Sequence, residues 1–214
     1  KFRDGAEKFF VFVVIAKTHD PLNTSTVVPT AVKQHNFPCG RQVPDGGLQL
    51  TSVPFTTCAE MLQFDAGRNT PLWKLAVAYE SARGGLTEEE VVSKMVEIVR
   101  ILRRSIASGL AGTTYEDRVL GHQSGRFKEL LDAGRLLDGG ALNRIVLYVT
   151  ALMEVKSSMG VIVAAPTAGA CAALPGAVIG MAESMGRSEE DMARAMLASG
   201  LIGVFIATRW TFAA

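Results

Sequence analysis

The alternation of apolar and polar positions changes character near residue 57. Beyond it, apolar residues recur at helical spacing and helix-start signals are dense. In "TEEEVVSKMVEIVRILRRSIASG" the residues Val91, Met95, Ile98, Leu102 and Ile106 form one stripe, with Lys and Arg lying away from it. Thr87 and Glu90 open that helix with a capping box, in which the hydroxyl accepts from an early backbone N–H while the Glu reaches back to the cap. Thr57 and Glu60 repeat the pattern in "TCAE" and start a short helix. In "NTPLWKLAVAYESARGG" Thr70 can cap, Pro71 suits the first helical position, and Gly84 and Gly85 supply a left-handed stop. The stretch "GLAGTTYEDRVLGHQSGRFKELLDAGRLLDGG" is broken by glycines and leaves one brief helical patch around Phe127 to Leu131. "ALNRIVLYVTALMEV" is apolar on most sides, like a central bundle helix, and Ser188 caps a last helix with acids in its first turn. Strand-like alternation is nearly absent after Thr57, so the expected fold is mainly α.

The first 56 residues read differently. The run "KFRDGAEKFFVFVVIAK" is too short to span a bilayer and is read as a buried strand. Residues 18–54 mix Pro, Gly, Asn and Thr with short β-branched pairs, the composition of a loop-rich lead-in or linker. This divides the chain into an unplaced segment 1–56 and a helical domain over 57–214. The opening Lys1 in place of Met suggests a fragment or a processed chain.

Composition narrows the function. With 48% hydrophobic residues among 214, the chain can bury a sizeable core. A net charge of +1 from 22 basic and 21 acidic residues offers no basic face for a nucleic-acid backbone. Cys39, Cys58 and Cys171 are too scattered for a disulfide framework or a zinc knuckle, which fits a reducing, cytoplasmic setting.

The most unusual stretch is "KSSMGVIVAAPTAGACAALPGAVIGM", Lys156 to Met181. Pro166 and Pro175 argue against a membrane span, and its glycines and alanines allow close backbone approach, either between packed helices or against a ligand. Ser157, Ser158 and Thr167 place hydroxyls in apolar surroundings, where they need partners. Beside Gly160 and Gly169 they can direct O–H and N–H groups at a carboxylate, helped by a positive helix end. On spacing alone, packing is favoured over ligand binding.

The segment "SSMGVIVAAPTAGACAALPGAVIG" strongly resembles the signature of iron–sulfur-dependent L-serine dehydratases (L-serine ammonia-lyases), in the α chain or α domain. The resemblance extends back through "TTCAEML", "PLWKLAVAYESARGGLTEEEVVSKM" and "VTALMEVKSSMG", and forward to "GLIGVFIATRWTFAA", covering Thr57 to Ala214. It implies a helical catalytic α domain, L-serine as substrate, a β domain or β chain as partner, and assembly into a homo- or hetero-oligomer. It also implies a [4Fe–4S] cluster held by three cysteines, whose open iron takes the substrate hydroxyl as a Lewis acid, with pyruvate and ammonia as products. No pyridoxal phosphate is expected, since Lys94, Lys128 and Lys156 lack a glycine-flanked Schiff-base setting. By the same resemblance Ser157, Ser158, Gly160, Thr167 and Gly169 are the candidate substrate-binding residues.

This sequence departs from the family pattern at the cluster. The family's cysteines lie in segments beyond the equivalent of Ala214, so no metal ligand is assigned to any residue, and Cys171 is read as a small buried hydrophobe. Trp210 stands where a small or hydroxyl residue is expected. Glu154, one turn before the serines, is a candidate proton acceptor, with orientation or packing ranked above catalysis. His122 in "LGHQSG" is read as a solvated loop histidine able to titrate near neutrality, and Arg103 and Arg104 as a solvated helix face. Two alternatives stand beside the enzyme: a non-catalytic truncated helical scaffold, and a related iron–sulfur L-cysteine desulfidase.

Overall fold

The computed structural model describes residues 13–15 and 53–207, apart from 117, 119, 120 and 166–169. It is mainly helical, as expected. The elements in order are β1 (Val13–Ile15), α1 (Cys58–Asp65), α2 (Leu72–Gly84), α3 (Glu88–Ala111), α4 (Gln123–Asp132), α5 (Ala141–Ser157), β2 (Ile162–Ala164), α6 (Ala173–Ser184) and α7 (Glu189–Ala207). Both capping boxes form: Thr57 Oγ1 accepts from Glu60 N and Thr87 Oγ1 from Glu90 N, each with the reciprocal Glu contact. Ser188 caps α7, its hydroxyl accepting from Asp191 N at 3.2 Å. Gly85 ends α2 at φ 60°, in the left-handed region where glycine carries no Cβ penalty.

Four local expectations change. Pro71 is itself the cap of α2 with no side-chain hydrogen bond, and Thr70 instead donates its N–H to Asp65 Oδ1 at 3.2 Å. On α3, Val99 is fully buried while Ile98 is half-exposed, because the interface follows steps of four, four, three and four residues from Val91 to Ile106. Helix α4 starts at Gln123, earlier than its apolar patch. Helix α5 is not buried on all sides: Leu142, Val146 and Met153 are exposed.

Helix α3 runs through the centre, packing against α2, α5 and α7, while α5 lies between α3 and α6. The core joins Val99, Leu102, Leu152, Ile179, Met196, Leu197 and Leu201, and it reaches back to Phe55, whose ring meets those of Phe64, Tyr79 and Phe205. Strand β2 is buried at every position and pairs antiparallel with β1, Val14 opposite Val163. Uniform burial removes the alternation that marks a strand in sequence. The strand expected in the N-terminal run is present as β1; the remaining readings on residues 1–52 lie outside the described residues. Among the described residues no helix is long and apolar enough to cross a membrane.

Three glycines set the spacing of the central helices. A Cβ at Gly109 would lie 2.3 Å from the Ala151 carbonyl oxygen, so α3 and α5 cross with backbones in contact. A Cβ at Gly176 would lie 2.6 Å from Val149 Cγ2 and 2.9 Å from its backbone nitrogen, and one at Gly180 would meet Ile145 Cα at 3.1 Å. The close backbone approach expected of the Gly/Ala-rich segment is thus realised between α5 and α6. Ser105 adds a polar tie, donating its hydroxyl to Val161 O at 2.8 Å and so holding α3 to the entry of β2.

Gly109→Ala is expected to destabilise the chain by about 1–3 kcal/mol through overpacking against backbone that cannot yield. Gly203→Ala, on α7 with nothing within 4 Å of the new Cβ, is expected to be neutral or to stabilise by up to about 1 kcal/mol. Urea unfolding midpoints of the two variants check the contrast.

Candidate functional site

The sequence "SSMG" closes α5. Ser158 N donates to Glu154 O at 3.0 Å, Met159 N to Lys156 O at 3.1 Å and Gly160 N to Val155 O at 2.8 Å, the paired bonds of a Schellman end. Met159 takes the left-handed conformation at φ 60°, uncommon for a residue with a side chain, and is half-exposed. Gly160 follows because a Cβ there would meet Val155 Cγ1 at 2.7 Å. Its N–H is already committed to the helix end. The hydroxyls turn back on their own helix: Ser157 Oγ donates to Met153 O at 2.9 Å and Ser158 Oγ to Val155 O at 3.0 Å. This is the negative end of α5; the next helix along the chain, α6, opens at Ala173. Thr167 and Gly169 lie outside the described residues.

One turn before the serines, Glu154 projects toward α4. Its Oε1 accepts from Gln123 N at 2.6 Å and Ser124 N at 3.1 Å, and its Oε2 accepts from Ser124 Oγ at 2.8 Å. A carboxylate from another helix therefore caps α4 and sits at the positive end of its dipole, which is why α4 begins at Gln123. On sequence, packing or orientation ranks above catalysis for Glu154; the contacts present are those of a cap on α4 and do not touch the serines that follow it.

His122 is held in the same junction and is not a freely solvated loop histidine. Its Nε2 lies 2.9 Å from Gly109 O, 3.0 Å from Ser124 Oγ and 3.2 Å from Glu154 Oε2. Gly109 belongs to the last turn of α3, where its carbonyl accepts from Gly112 N at 3.3 Å and has a lone pair left for the imidazole. The spacing H-x-S-G has a steric cause as well: a Cβ at Gly125 would sit 2.5 Å from His122 Cε1. One cluster thus joins the end of α3, the start of α4 and the last turn of α5. The signal for it in sequence was the motif "GHQSG", which carries no indication of its distant partner Glu154.

Arg103 also departs from the solvated-face reading. Its NH1 lies 2.6 Å from Glu189 Oε1 and its Nε 3.3 Å from Glu183 Oε1, while Arg100 Nε lies 2.8 Å from Glu189 Oε2. Tyr148 OH donates to Glu183 Oε2. These groups line a cleft of about 430 Å³ between α3, α5, α6 and the start of α7. Burial first, then the hydrogen bond to Glu183, pushes the Tyr148 phenol up to about 12.

Neither described cysteine is paired. Cys58 is exposed on α1, and Cys171 is fully buried, its thiol pushed up by burial. Among the described residues no group of three or more His, Cys, Asp or Glu side chains could hold a metal ion. These residues do not fit an iron–sulfur cluster, and no step is assigned to one.

Two predictions rest on these contacts. Glu154→Gln replaces a charged acceptor of three hydrogen bonds by an amide with one oxygen, and is expected to cost about 1–3 kcal/mol and to speed hydrogen exchange at the Gln123 and Ser124 amides. Retained stability and exchange would show the cap to be dispensable. In a spectrophotometric titration one tyrosine is expected to ionise near 12, and Glu183→Gln lowers that value. The phenol stays protonated to higher pH in the folded chain than in the unfolded one, so its contribution is complete below the ordinary value near 10 and is lost as pH rises through about 12.

The family model described as serine dehydratase alpha chain matches residues 67–214. Over 153 residues the chain is 24% identical to the probable L-serine dehydratase, alpha chain, of Bacillus subtilis (strain 168), covering 72% of this chain and 51% of that protein. It is 26% identical over 158 residues to the L-serine dehydratase, alpha chain, of Peptoniphilus asaccharolyticus, covering 73% and 54%. With the L-serine dehydratase of Streptomyces coelicolor (strain ATCC BAA-471 / A3(2) / M145) it shares 31% identity over 157 residues, 71% of this chain and 33% of that protein. The chain therefore spans about half the length of the first two relatives and a third of the last. No solved structure matches it. With the family model covering more than two thirds of its length, including the "SSMG" turn and the Gly/Ala-rich segment behind it, this chain belongs to the serine dehydratase alpha chain family.

Proposed function

We propose that the chain is the α portion of an L-serine ammonia-lyase, which removes water from L-serine to give aminoacrylate and then pyruvate and ammonia. The observation that carries this reading is the "SSMG" turn. A left-handed Met159 ends α5 between two hydroxyls and a glycine, next to the segment that leads into the positive end of α6. Strain of this kind gathers where geometry serves a site. Family membership supports the same reaction class.

In this proposal Ser157, Ser158 and Thr167 hold the substrate's carboxylate and amino group, so that the Cα–H and C–O bonds stay aligned for elimination. The Ser158 hydroxyl exchanges its bond to Val155 O for one to the substrate, a swap that its free rotation allows. Gly169 keeps a side chain out of that space in this proposal, and Gly160, whose Cβ would meet Val155, lets the turn close against α5. The [4Fe–4S] cluster belongs to the proposal as a group whose thiolates come from sequence outside this chain. The β domain or β chain, the oligomer and the cytoplasmic setting are part of it too.

The test is made on the complete enzyme that contains this chain, reconstituted anaerobically and supplied with L-serine, L-threonine or L-cysteine. Pyruvate and ammonia from L-serine are the expected products; turnover of L-cysteine alone would favour the desulfidase, and turnover of none the non-catalytic scaffold. Ser158→Ala and Thr167→Ala are each expected to lower kcat/KM for L-serine by about 1.5–3 kcal/mol of lost transition-state stabilisation, with iron and sulfide content unchanged. Unchanged constants would leave these hydroxyls as partners of buried backbone alone.

A further inference from the structure

The cleft between α3, α5, α6 and the start of α7 carries more positive charge than its own carboxylates answer. Arg100, Arg103 and Arg104 line it from α3, while Glu183 of α6 and Glu189 of α7 face them. Like charges crowded onto one or two turns of a helix repel unless they are paired. Both carboxylates are already engaged. Glu189 Oε1 accepts from Arg103 Nη1 at 2.6 Å and its Oε2 from Arg100 Nε at 2.8 Å. Glu183 Oε1 lies 3.3 Å from Arg103 Nε, and its Oε2 accepts from Tyr148 OH. Arg104 has no carboxylate opposite it: among the described residues it makes no ion pair or hydrogen bond. Three guanidinium groups against two carboxylates leave one positive charge over, and Arg144, outside the lining and 3.9 Å from Glu183, adds to the same excess. Arg100 also keeps its Nη groups free among the described residues, so the cleft offers donors from two side chains.

Beyond the arginines the lining turns apolar. Ile106, Ala107 and Leu110 occupy the next stretch of α3, with Ile179 of α6 and the Tyr148 ring facing them. Arg104 and Leu110 are about 9 Å apart along the helix axis, so charge and hydrocarbon are presented in sequence along one wall. The Tyr148 hydroxyl is spent on Glu183 and adds no free donor. At about 430 Å³ the cleft has the size of a small-molecule site.

These features select a ligand class. A single surplus charge suits a monoanion, and the planar guanidinium of Arg104 can take a carboxylate through two parallel hydrogen bonds. An ammonium group would find both carboxylates occupied and the local charge against it. Arg104 is exposed, and an exposed ion pair alone contributes little, so the apolar wall has to supply the remainder of the affinity. We propose that this cleft binds a small aliphatic monocarboxylate, its carboxylate on Arg104 and its hydrocarbon chain against Ala107 and Leu110. Tyr148 and Ser157 stand about 14 Å apart along the axis of α5, and the proposal does not rest on the ammonia-lyase reading.

The test titrates this chain with sodium butyrate, followed in ¹H–¹⁵N spectra at constant ionic strength. Saturable shifts are expected at the Arg104 and Leu110 amides, with a Kd about tenfold below that for acetate, which lacks the two further methylenes. Phosphate, with charge and no chain, and 1-butanol, with a chain and no charge, are both expected to bind more weakly than butyrate. Arg104→Gln is expected to raise the butyrate Kd about tenfold or more, and Arg144→Gln to leave it within about threefold. Leu110→Ala is expected to weaken butyrate and spare acetate. Thermal unfolding midpoints show that each variant is folded; should Leu110→Ala not fold, the exposed Arg104→Gln decides alone. Absence of saturable shifts overturns the proposal, as does a folded Arg104→Gln chain that binds butyrate like wild type. Equal affinity for acetate and butyrate, 1-butanol binding as tightly as butyrate, or phosphate binding more tightly would each remove the aliphatic carboxylate as the ligand class and overturn it too.

Discussion

Everything described here depends on how closely α5 approaches its two neighbours. The helix is held to α3 by a backbone contact at Gly109 and to α6 by Gly176 and Gly180, positions where a single methyl group would collide with backbone atoms. At such separations the helices cannot slide or rotate without collision, since close-packed interiors have little compressibility. The cost is borne by side chains that do not exist. Glycine inside a helix is unfavourable by roughly 0.5–1 kcal/mol relative to alanine, so packing must return more than that at each crossing.

The α3–α5 crossing places the two helices in register for the polar junction. Because α3 ends within one turn of Gly109, the Gly109 carbonyl, which accepts from Gly112 N at 3.3 Å, also faces His122 in the space that Glu154 of α5 enters. Helix α4 then enters that space with its own unpaired N–H groups. The carbonyl at the end of α3 meets the imidazole, and the first N–H groups of α4 and the Ser124 hydroxyl meet the Glu154 carboxylate. Burial raises the stakes of such a network, because each member left unpaired would carry its full desolvation cost.

What could be read from the sequence divides by range. The caps of α1, α3 and α7 were legible because donor and acceptor lie three residues apart. The start of α4 was not, since its cap comes from Glu154, 31 residues away from Gln123. Strand β2 was missed for a different reason: buried throughout, it has no polar face to alternate with. The exposed positions Leu142, Val146 and Met153 on α5 likewise defeat a reading in which apolar means covered. At the candidate site the serines and glycines stood out by type and by resemblance, yet their hydrogen bonds into their own helix did not. His122 was underestimated because a histidine between glycines carries no sign of the carboxylate it will meet.

The Gly/Ala-rich segment posed a choice between packing and chemistry that the fold makes unnecessary. Gly176 and Gly180 serve packing, by bringing α6 against α5. Ser157, Ser158 and Met159 stand at the end of that same α5, so the orientation of the turn is inherited from the crossing. An elimination tolerates little error in the angle between the breaking C–H bond and the base, and a displacement of about 1 Å is enough to cost two orders of magnitude in rate. A turn supported by flexible side-chain contacts would drift by more than that. One locked at Val155 O by a glycine and carried on a helix whose neighbours are in backbone contact would not, and for this reason the apolar half of the signature is as necessary to the proposed reaction as the hydroxyls that would touch the substrate.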